Sequence, residues 1–252
     1  MLRRPWIIAT ISVLVLLVAS YAHEVLVRFN WYRQLHDAHP FYVAESIDKA
    51  GGGLLCIITV WLLYRGSFPS VLKKLGLYRN APRALAFGIA ASLPMLLGLA
   101  LTFAFNHHAE FLPVLFLDIF SPLVEEIEFR GFGVIQLNRG TGWPFWAVVW
   151  PSAILFGYGH VEQGQSKLEM LGLFLLTAFG GVVFAWLAFK WKSLWVAIAL
   201  HISMNLWWDF FSVSNNAIGG WFPFALQTFT IFIAVVGTLY LTRARKERWT
   251  QI

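Results

Sequence analysis

The sequence has little charge and almost no cysteine. Charged residues make up 13% of its 252 residues and hydrophobic residues 58%, whereas a soluble domain carries about 25% charged residues. This composition excludes an ordinary soluble domain. Because Cys56 is the single cysteine, no intrachain disulfide can form, and the redox compartment stays undetermined. Internal repeats, low-complexity tracts and the alternating segments of a membrane β-barrel are also missing.

Apolar runs fill most of the chain instead. Eight stretches approach the roughly 20 residues that a bilayer-spanning helix needs. The second is short, and we expect it to begin earlier, near Val43. The sequence therefore predicts an all-α, polytopic transmembrane helical bundle of about eight spans, since helices satisfy their own backbone in lipid. The stretches cover residues 6–27, 51–65, 84–106, 112–136, 143–163, 168–189, 193–213 and 221–242.

The basic residues predict the orientation of this bundle. Of 19 Lys and Arg residues, 14 fall inside if both termini are cytoplasmic, and Arg130 is buried. Four fall outside: Arg28, Arg33, Lys49 and Lys167. This bias follows the positive-inside rule, so the net charge of +6 has a topological origin and predicts no nucleic-acid partner. We expect a multi-pass protein of the plasma membrane with both termini in the cytoplasm.

The first apolar run has two interpretations. Arg3 and Arg4, an apolar stretch and then Ser20, Tyr21 and Ala22 also suit a cleaved signal peptide. Further spans follow and make cleavage unnecessary for insertion, so a retained first span is favoured. Between the second and third spans, apolar and basic residues alternate near residues 68–80. This segment is predicted to be a short amphipathic helix on the cytoplasmic membrane surface.

Four ionisable residues interrupt the fourth span: Glu125, Glu126, Glu128 and Arg130. Each charge near the bilayer centre costs about 2.5–3.5 kcal/mol, which marks the cluster as a functional site by default. Glu126 and Arg130 are four apart and can form an ion pair. Glu125 points to a different face, near which Glu128 and Asp118 also lie. A purely structural ion pair would leave two carboxylates unexplained.

Two later spans carry histidines. Phe156 and His160 are four apart, with Gly157 and Gly159 between them allowing a close approach. The seventh span has a polar stripe at positions i, i+4 and i+8, which should face the bundle interior: His201, Asn205 and Asp209. A lone histidine is more often a hydrogen-bonded structural residue. Together with the carboxylates of the fourth span, these residues predict one convergent site.

Three motifs in this order resemble a known family. They are Glu-Glu-x-x-x-Arg at 125–130, Phe-x-x-x-His at 156–160 and His-x-x-x-Asn at 201–205. The pattern is similar to the CPBP family (CAAX proteases and bacteriocin-processing enzymes, also called ABI proteins), which includes the Ras-converting type of CAAX prenyl endopeptidase. The resemblance covers about residues 110–210. Glu128 departs from it, because that position is more often uncharged in the family.

The resemblance implies an intramembrane endopeptidase in which glutamate and histidine activate a water molecule. Carried onto this chain, Glu125 is the general base and His160 holds and polarises the water. His201 and Asn205 would donate hydrogen bonds to the oxyanion, while Glu126 and Arg130 would support the helix face. The chain then divides into N-terminal transmembrane helices (1–109), a CPBP-like catalytic core (110–213), and a C-terminal helix with a basic cytoplasmic tail (214–252).

Several alternatives stay open at this point. Two histidines and one or two glutamates would also suit an open zinc site, although His-Glu-x-x-His is absent; the cofactor is unknown, and the metal-free mechanism is slightly favoured. The implied partners are the lipid bilayer and a membrane-bound peptide or protein, such as a prenylated CAAX tail or a leader peptide. A proton-coupled transporter or a non-catalytic scaffold or immunity-type protein would use the same residues differently.

Depth along the spans gives a geometric expectation. Glu125, His160 and His201 meet if the hairpin between the fourth and fifth spans projects about 10 Å beyond the bilayer on the cytoplasmic side. We expect it to do so, with the site inside the membrane and open to the cytoplasm. A separation of His160 and His201 above about 15 Å would contradict a shared water.

Overall fold

The structure is a computed structural model that describes residues 4–214 and 218–242. Within these residues it is all helical, without β-strands, and a short 3₁₀ turn at Val161–Gln163 follows the seventh helix. The helices are α1 (Pro5–Leu26), α2 (Asn30–Asp37), α3 (Phe41–Tyr64), α4 (Phe68–Lys74), α5 (Ala81–Thr102), α6 (residues 111–141), α7 (Phe145–Tyr158), α8 (Lys167–Trp191), α9 (Trp195–Phe210) and α10 (Trp221–Thr242).

Five of these helices are long and apolar enough to cross a membrane: α1, α3, α5, α8 and α10. The other three long elements, α6, α7 and α9, carry the polar motifs. Helices α7 and α9 have 14 and 16 residues, and α6 contains the charged cluster. The prediction of an all-α membrane bundle of about eight spans is confirmed. Helix α3 begins at Phe41, so the second span does start well before residue 51.

Helix α6 runs through the middle of the bundle and contacts α1, α3, α7, α8 and α9. It is not a regular α-helix. Two π-helical segments, Val114–Phe120 and Glu126–Gln136, flank the α-helical turn Ser121–Glu125. Pro122 lacks an N–H and cannot continue the i→i−4 pattern, which favours a local change of helix type. Such π segments are often found at functional sites, and the sequence pattern predicted only an ordinary helix.

The bundle has two ends, which we call the N-terminal end and the far end. At the N-terminal end, the Leu194 amide donates to the Gly76 carbonyl (2.9 Å), and Trp195 Nε1 donates to the Leu77 carbonyl (2.8 Å). These bonds hold the α4–α5 connection against the start of α9. The connections at this end are residues 65–67, 75–80, 142–144 and 192–194.

Basic side chains crowd this N-terminal end. Val71 and Leu75 are buried, which anchors α4 to the bundle. Burial, together with the nearby charges of Arg139 and Lys73, lowers the pKa of Lys74. Arg139 also donates to the Lys73 carbonyl. The amphipathic helix predicted near residues 68–80 corresponds to α4, and its position on a membrane surface stays a prediction.

The far end carries the remaining connections. The Asn106 amide donates to the Phe210 carbonyl (2.7 Å), and the Asn106 side chain donates to the Asp209 carbonyl (3.1 Å). Trp208 Nε1 donates to the Ser214 carbonyl (3.0 Å). The end of α9 is therefore fixed to the segment after α5. Among the described residues, the connections at this end are 27–40, 103–110, 159–166, 211–214 and 218–220.

Two glycines allow close contacts between helices that carry the site. A Cβ on Gly88 of α5 would lie 2.8 Å from the Val196 carbonyl oxygen of α9. A Cβ on Gly157 of α7 would lie 2.9 Å from the Phe174 carbonyl oxygen of α8. Gly157 therefore serves the helix contact expected from the sequence. Gly159 does not, because the nearest atoms to its Cβ position belong to its own chain segment.

Candidate active site

A cavity of about 730 Å³ lies inside the bundle. Its walls come from α3, α5, α6, α7, α8, α9 and α10, and from the turn after α7. The structure brings five of the six site residues predicted from the sequence to this one cavity: Glu125, Arg130, His160, His201 and Asn205. Arg130 lines its deepest part. The polar stripe of α9 faces the cavity along its length, since Asp209 lines it as well.

Glu125 is buried and directs its carboxylate into a set of polar partners. Lys49 of α3 donates a hydrogen bond to Glu125 Oε1 and forms an ion pair with it. Ser121 Oγ donates to the same oxygen (3.3 Å). The other oxygen, Oε2, lies 4.0 Å from His201 Nε2. Lys49 supplies the opposite charge that a buried carboxylate requires.

Glu126 and Arg130 form the buried ion pair that their spacing predicted. Arg130 Nη1 lies 2.9 Å from Glu126 Oε1, with side-chain exposures of 2% and 0%. The same carboxylate oxygen contacts His201 Nδ1 (2.8 Å). The Arg130 guanidinium carbon lies 3.9 Å from the centre of the Phe156 ring, a cation–π distance. Arg130 lines the cavity, whereas Glu126 does not. Glu126 instead contacts His201 Nδ1, the ring nitrogen opposite the one nearest to Glu125.

The two imidazoles carry their hydrogen on the same ring nitrogen. His160 Nδ1 lies 2.8 Å from the Phe156 carbonyl oxygen, and His201 Nδ1 lies 2.8 Å from Glu126. A carbonyl or carboxylate oxygen only accepts, so each Nδ1 must carry the hydrogen and donate. In the neutral rings each Nε2 is then an acceptor with a free lone pair. Both histidines thus offer the same kind of atom to the site.

The Phe156 ring is close to both histidines. Its ring centre is 4.6 Å from that of His160 and 6.2 Å from that of His201. The imidazoles are therefore well within the limit of about 15 Å beyond which they could not share a water. Phe156 itself is buried and so fixes the positions of both rings.

The remaining acidic residues separate into two groups. Glu128 is buried beside Gly52 of α3 and does not line the cavity, so it is placed differently from Glu125. Asp118 and Asp209 line the cavity closer to the far end and interact with each other. The sequence left open which carboxylate of the cluster faces the reaction; among these glutamates, the one at the cavity is Glu125.

These residues do not form a ready zinc site. Tetrahedral zinc needs ligand atoms about 3.4 Å apart, given metal–ligand distances near 2.1 Å. Glu125, His160 and His201 do not appear among the described groups whose ligand atoms all lie within 4.8 Å of one another. The Lys49 ammonium also contacts Glu125 and would repel a second cation there. The arrangement therefore does not fit a bound zinc ion.

Lys49 is the site residue that the sequence analysis missed, and its assignment to an outer loop is wrong. The apolar run was taken to begin near residue 51, or at Val43 at the earliest, whereas α3 begins at Phe41. Lys49 therefore lies two turns inside a spanning helix. A lysine inside a span is itself a signal of function, and the expected start near Val43 would already have placed Lys49 inside the second span.

The cavity reaches the far end of the bundle. Its wall includes Phe41, Gln163, Asp209 and Ser214, which all lie at or near the far-end connections. None of the described residues that line it belongs to a connection at the N-terminal end. With both termini in the cytoplasm, the cavity would open away from the cytoplasm. The two expectations, cytoplasmic termini and a site open to the cytoplasm, therefore cannot both hold.

Comparison with known proteins identifies the central part of the chain. Residues 107–207 match a family described as Rce1-like, the type II CAAX prenyl endopeptidases. This part of the chain is similar to that family, and we call it the Rce1-like segment. The resemblance to the CPBP and CAAX protease family is thereby confirmed. No curated protein and no solved structure matches the chain.

The Rce1-like segment contains all three motifs of the site, at 125–130, 156–160 and 201–205. It runs from just before α6 to the second half of α9. Lys49 lies outside it, on α3. The Rce1-like segment therefore supplies the carboxylates and imidazoles, and helix α3 before it supplies Lys49, the cation that pairs with Glu125.

Proposed function

We propose that this protein is an intramembrane endopeptidase that hydrolyses a peptide bond of a membrane-associated substrate, with Glu125 as the general base. The observation that carries the proposal is the convergence of Glu125, His160 and His201 on one cavity. The Rce1-like match supports a hydrolase of the CAAX-protease type. Prenylated CAAX peptides are the first substrate class to test, and leader peptides are the second.

The gap between Glu125 and His201 suits one water molecule. Two acceptors bridged by a single water lie about 4.4 Å apart, from hydrogen bonds near 2.8 Å and the water angle. Glu125 Oε2 and His201 Nε2 are 4.0 Å apart, and both accept. A water here would donate one hydrogen to each and direct its oxygen lone pairs into the cavity.

The chemical step follows from this placement. Glu125 takes a proton from the water as the water oxygen attacks the peptide carbonyl carbon. The carbon–nitrogen bond then breaks, and Glu125 returns the proton to the leaving amine. His160, which lines the same cavity, helps to hold the water or the substrate. The Asn205 amide on α9 is the neutral donor available to the oxyanion; one such donor is worth about 10²–10³ in rate.

The proposed role of His201 changes with its tautomer. The sequence-based expectation was that His201 donates to the oxyanion. With Nδ1–H directed at Glu126, His201 donates from Nε2 only after that nitrogen has gained a proton. Glu126 would stabilise such an imidazolium, as a buried carboxylate does for the histidine of a catalytic triad. Glu126 and Arg130 remain proposed supporting residues.

A transporter is less well supported by the same residues. Ionisable groups that relay protons should extend across the membrane. Here the described cavity-lining residues reach only the far end, and Arg130 with Glu126 closes the deep part. A non-catalytic scaffold would have no need for two histidines with matching free Nε2 atoms beside a buried carboxylate.

The test is peptide cleavage by the purified protein in detergent, with farnesylated and unmodified CAAX peptides. Glu125→Gln keeps the shape of the side chain and removes the base, so we expect the rate to fall by about 10²–10⁴. The matched control is Glu110→Gln, because Glu110 is exposed before α6. The proposal fails if Glu125→Gln cleaves at the rate of the unmodified protein, or if neither peptide is cleaved.

A further inference from the structure

A second polar cluster lies in the N-terminal helices, outside the Rce1-like segment. It joins four side chains from three helices: His23 of α1, Tyr32 and His36 of α2, and Asp48 of α3. His23 Nδ1 lies 2.8 Å from Asp48 Oδ2, and His36 Nε2 lies 3.7 Å from the same oxygen. The rings of the two histidines are 5.1 Å apart. The proteolytic mechanism uses none of these groups.

The ligand atoms of this cluster are spaced for a metal ion. His23, His36 and Asp48 each offer one atom, and these atoms all lie within 4.8 Å of one another. Around a tetrahedral zinc ion, neighbouring ligand atoms are about 3.4 Å apart. Asp48 Oδ2 lies 2.8 Å from His23 Nδ1 and 3.7 Å from His36 Nε2, one distance below and one above that value. Small side-chain movements would therefore place all three around one ion.

The cluster also contains an unsatisfied ligand atom. His36 Nε2 is buried and has no hydrogen-bond partner, which costs free energy in a folded protein. A metal ion bound to this nitrogen would remove that cost. The Tyr32 hydroxyl donates to Asp48 Oδ1, which leaves Oδ2 directed at both histidines. Tyr32 thus holds the carboxylate as outer-shell residues do in metal sites.

We propose that His23, His36 and Asp48 bind a divalent transition-metal ion, with zinc as the best match to two imidazoles and one carboxylate. A water molecule completes the coordination. Sequence spacing gave no hint of it, because the ligands lie 13 and 12 residues apart and follow no compact motif. His23-Glu24 lacks the second histidine of His-Glu-x-x-His, but the fold supplies that second histidine from α2.

The ion would tie α1, α2 and α3 together at the far end. Asp48 is the residue before Lys49, which pairs with Glu125. A metal-fixed Asp48 therefore restrains the backbone that positions Lys49. The site would stabilise the N-terminal helices against the Rce1-like core without taking part in peptide hydrolysis.

The test measures metal content of the full-length protein after chelator treatment, reloading with Zn²⁺ and desalting. We expect His36→Gln to bind one zinc ion per chain fewer than the unmodified protein. The matched control is His39→Gln, because the His39 side chain is exposed just after α2; it should keep the full content. Glu125→Gln should keep it as well, which separates this ion from any bound at the proteolytic site.

Two further measurements distinguish the loss of a metal ligand in His36→Gln from a folding defect of that variant. Tyr32→Phe keeps all three ligands and loses the outer-shell bond, so zinc affinity should fall about 10–100-fold. Co²⁺ in place of zinc should give a visible absorption spectrum that His36→Gln lacks and His39→Gln retains. Equal zinc content in His36→Gln and His39→Gln, or no zinc in the unmodified protein, would overturn the proposal.

Discussion

At the scale of single residues, the unusual feature is a lysine that contacts the carboxylate expected to act as the base. Lys49 is bound to Glu125, and Arg130 is bound to Glu126. These two buried carboxylates therefore each have their own cation. Removing one partner of a buried pair leaves an uncompensated charge, which is strongly unfavourable. Neutral histidines fit this balance, because they add no further charge.

We predict that Lys49→Met lowers the cleavage rate by about 10²-fold, the cost of misplacing a catalytic group by about 1 Å. Lys49→Arg keeps the charge and should retain much more activity. Lys167→Met, at an exposed lysine, is the control for the loss of one positive charge. Steady-state cleavage of the farnesylated peptide measures all three. Equal activity of Lys49→Met and Lys167→Met would show that Lys49 does not position Glu125.

The sequence predicted which residues form the site better than it predicted which side chains they contact. The spacing of Glu126 and Arg130 was enough to predict their ion pair, because both lie on one helix. It could not predict that His201 Nδ1 contacts Glu126, because α6 and α9 are distant in sequence. Nor could it show that Glu128 faces Gly52, since that depends on how α3 packs on α6. Lys49 was missed because it was counted with the outer loop, although the expected start of the second span near Val43 would have included it.

At the scale of helices, α9 is held in place by its contact with α5. The two backbones approach closely where Gly88 of α5 faces Val196 and Ala199 of α9. His201 lies less than two turns farther along α9. The position of this imidazole over Glu125 therefore depends on a glycine in a helix that contributes little else to the site.

We predict that Gly88→Ala destabilises the protein by about 1–3 kcal/mol, the usual cost of overpacking, and lowers cleavage by displacing His201. The control is Gly51→Ala, because a Cβ on Gly51 meets no atom within 4 Å; alanine there should leave stability unchanged or raise it by up to about 1 kcal/mol. Thermal unfolding in detergent gives the comparison. An unchanged melting temperature for Gly88→Ala would mean that α5 and α9 can separate without cost.

The apolar runs were enough to predict the number and order of the spanning helices. They did not predict that parts of α6 are π-helical. The π segments of α6 leave no trace in the hydrophobic pattern, because every face of this central helix is covered by neighbours. The short lengths of α7 and α9 were also not apparent, since flanking apolar residues in the turns extended the predicted spans.

At the scale of the whole molecule, the cavity opens at one end of the bundle and the basic residues cluster at the other. The described connections at the N-terminal end are rich in lysine and arginine, and the cavity opens at the far end. From the positive-inside rule we therefore expect the cavity to open outside the cytoplasm. This relation could not be found from sequence, because it depends on which ends of seven helices surround the cavity.

We predict that a cysteine at His108, in the far-end connection after α5, reacts with a membrane-impermeant maleimide in intact cells. A cysteine at Tyr78, exposed at the N-terminal end, should react only after the membrane is permeabilised. Both are made in a Cys56→Ala background, which removes the buried native thiol. The reverse labelling pattern would place the cavity opening in the cytoplasm and the termini outside.

The depth of Glu125 below the far end sets a length requirement on whatever is cleaved. From the first residue of α6 to Glu125 is about 21 Å at 1.5 Å per residue. A stretched peptide covers about 3.3–3.6 Å per residue, so some six residues must unwind and thread inward before a bond reaches the carboxylate. Chains that keep a helix or a folded domain closer than that to the scissile bond would escape cutting, whatever their side chains.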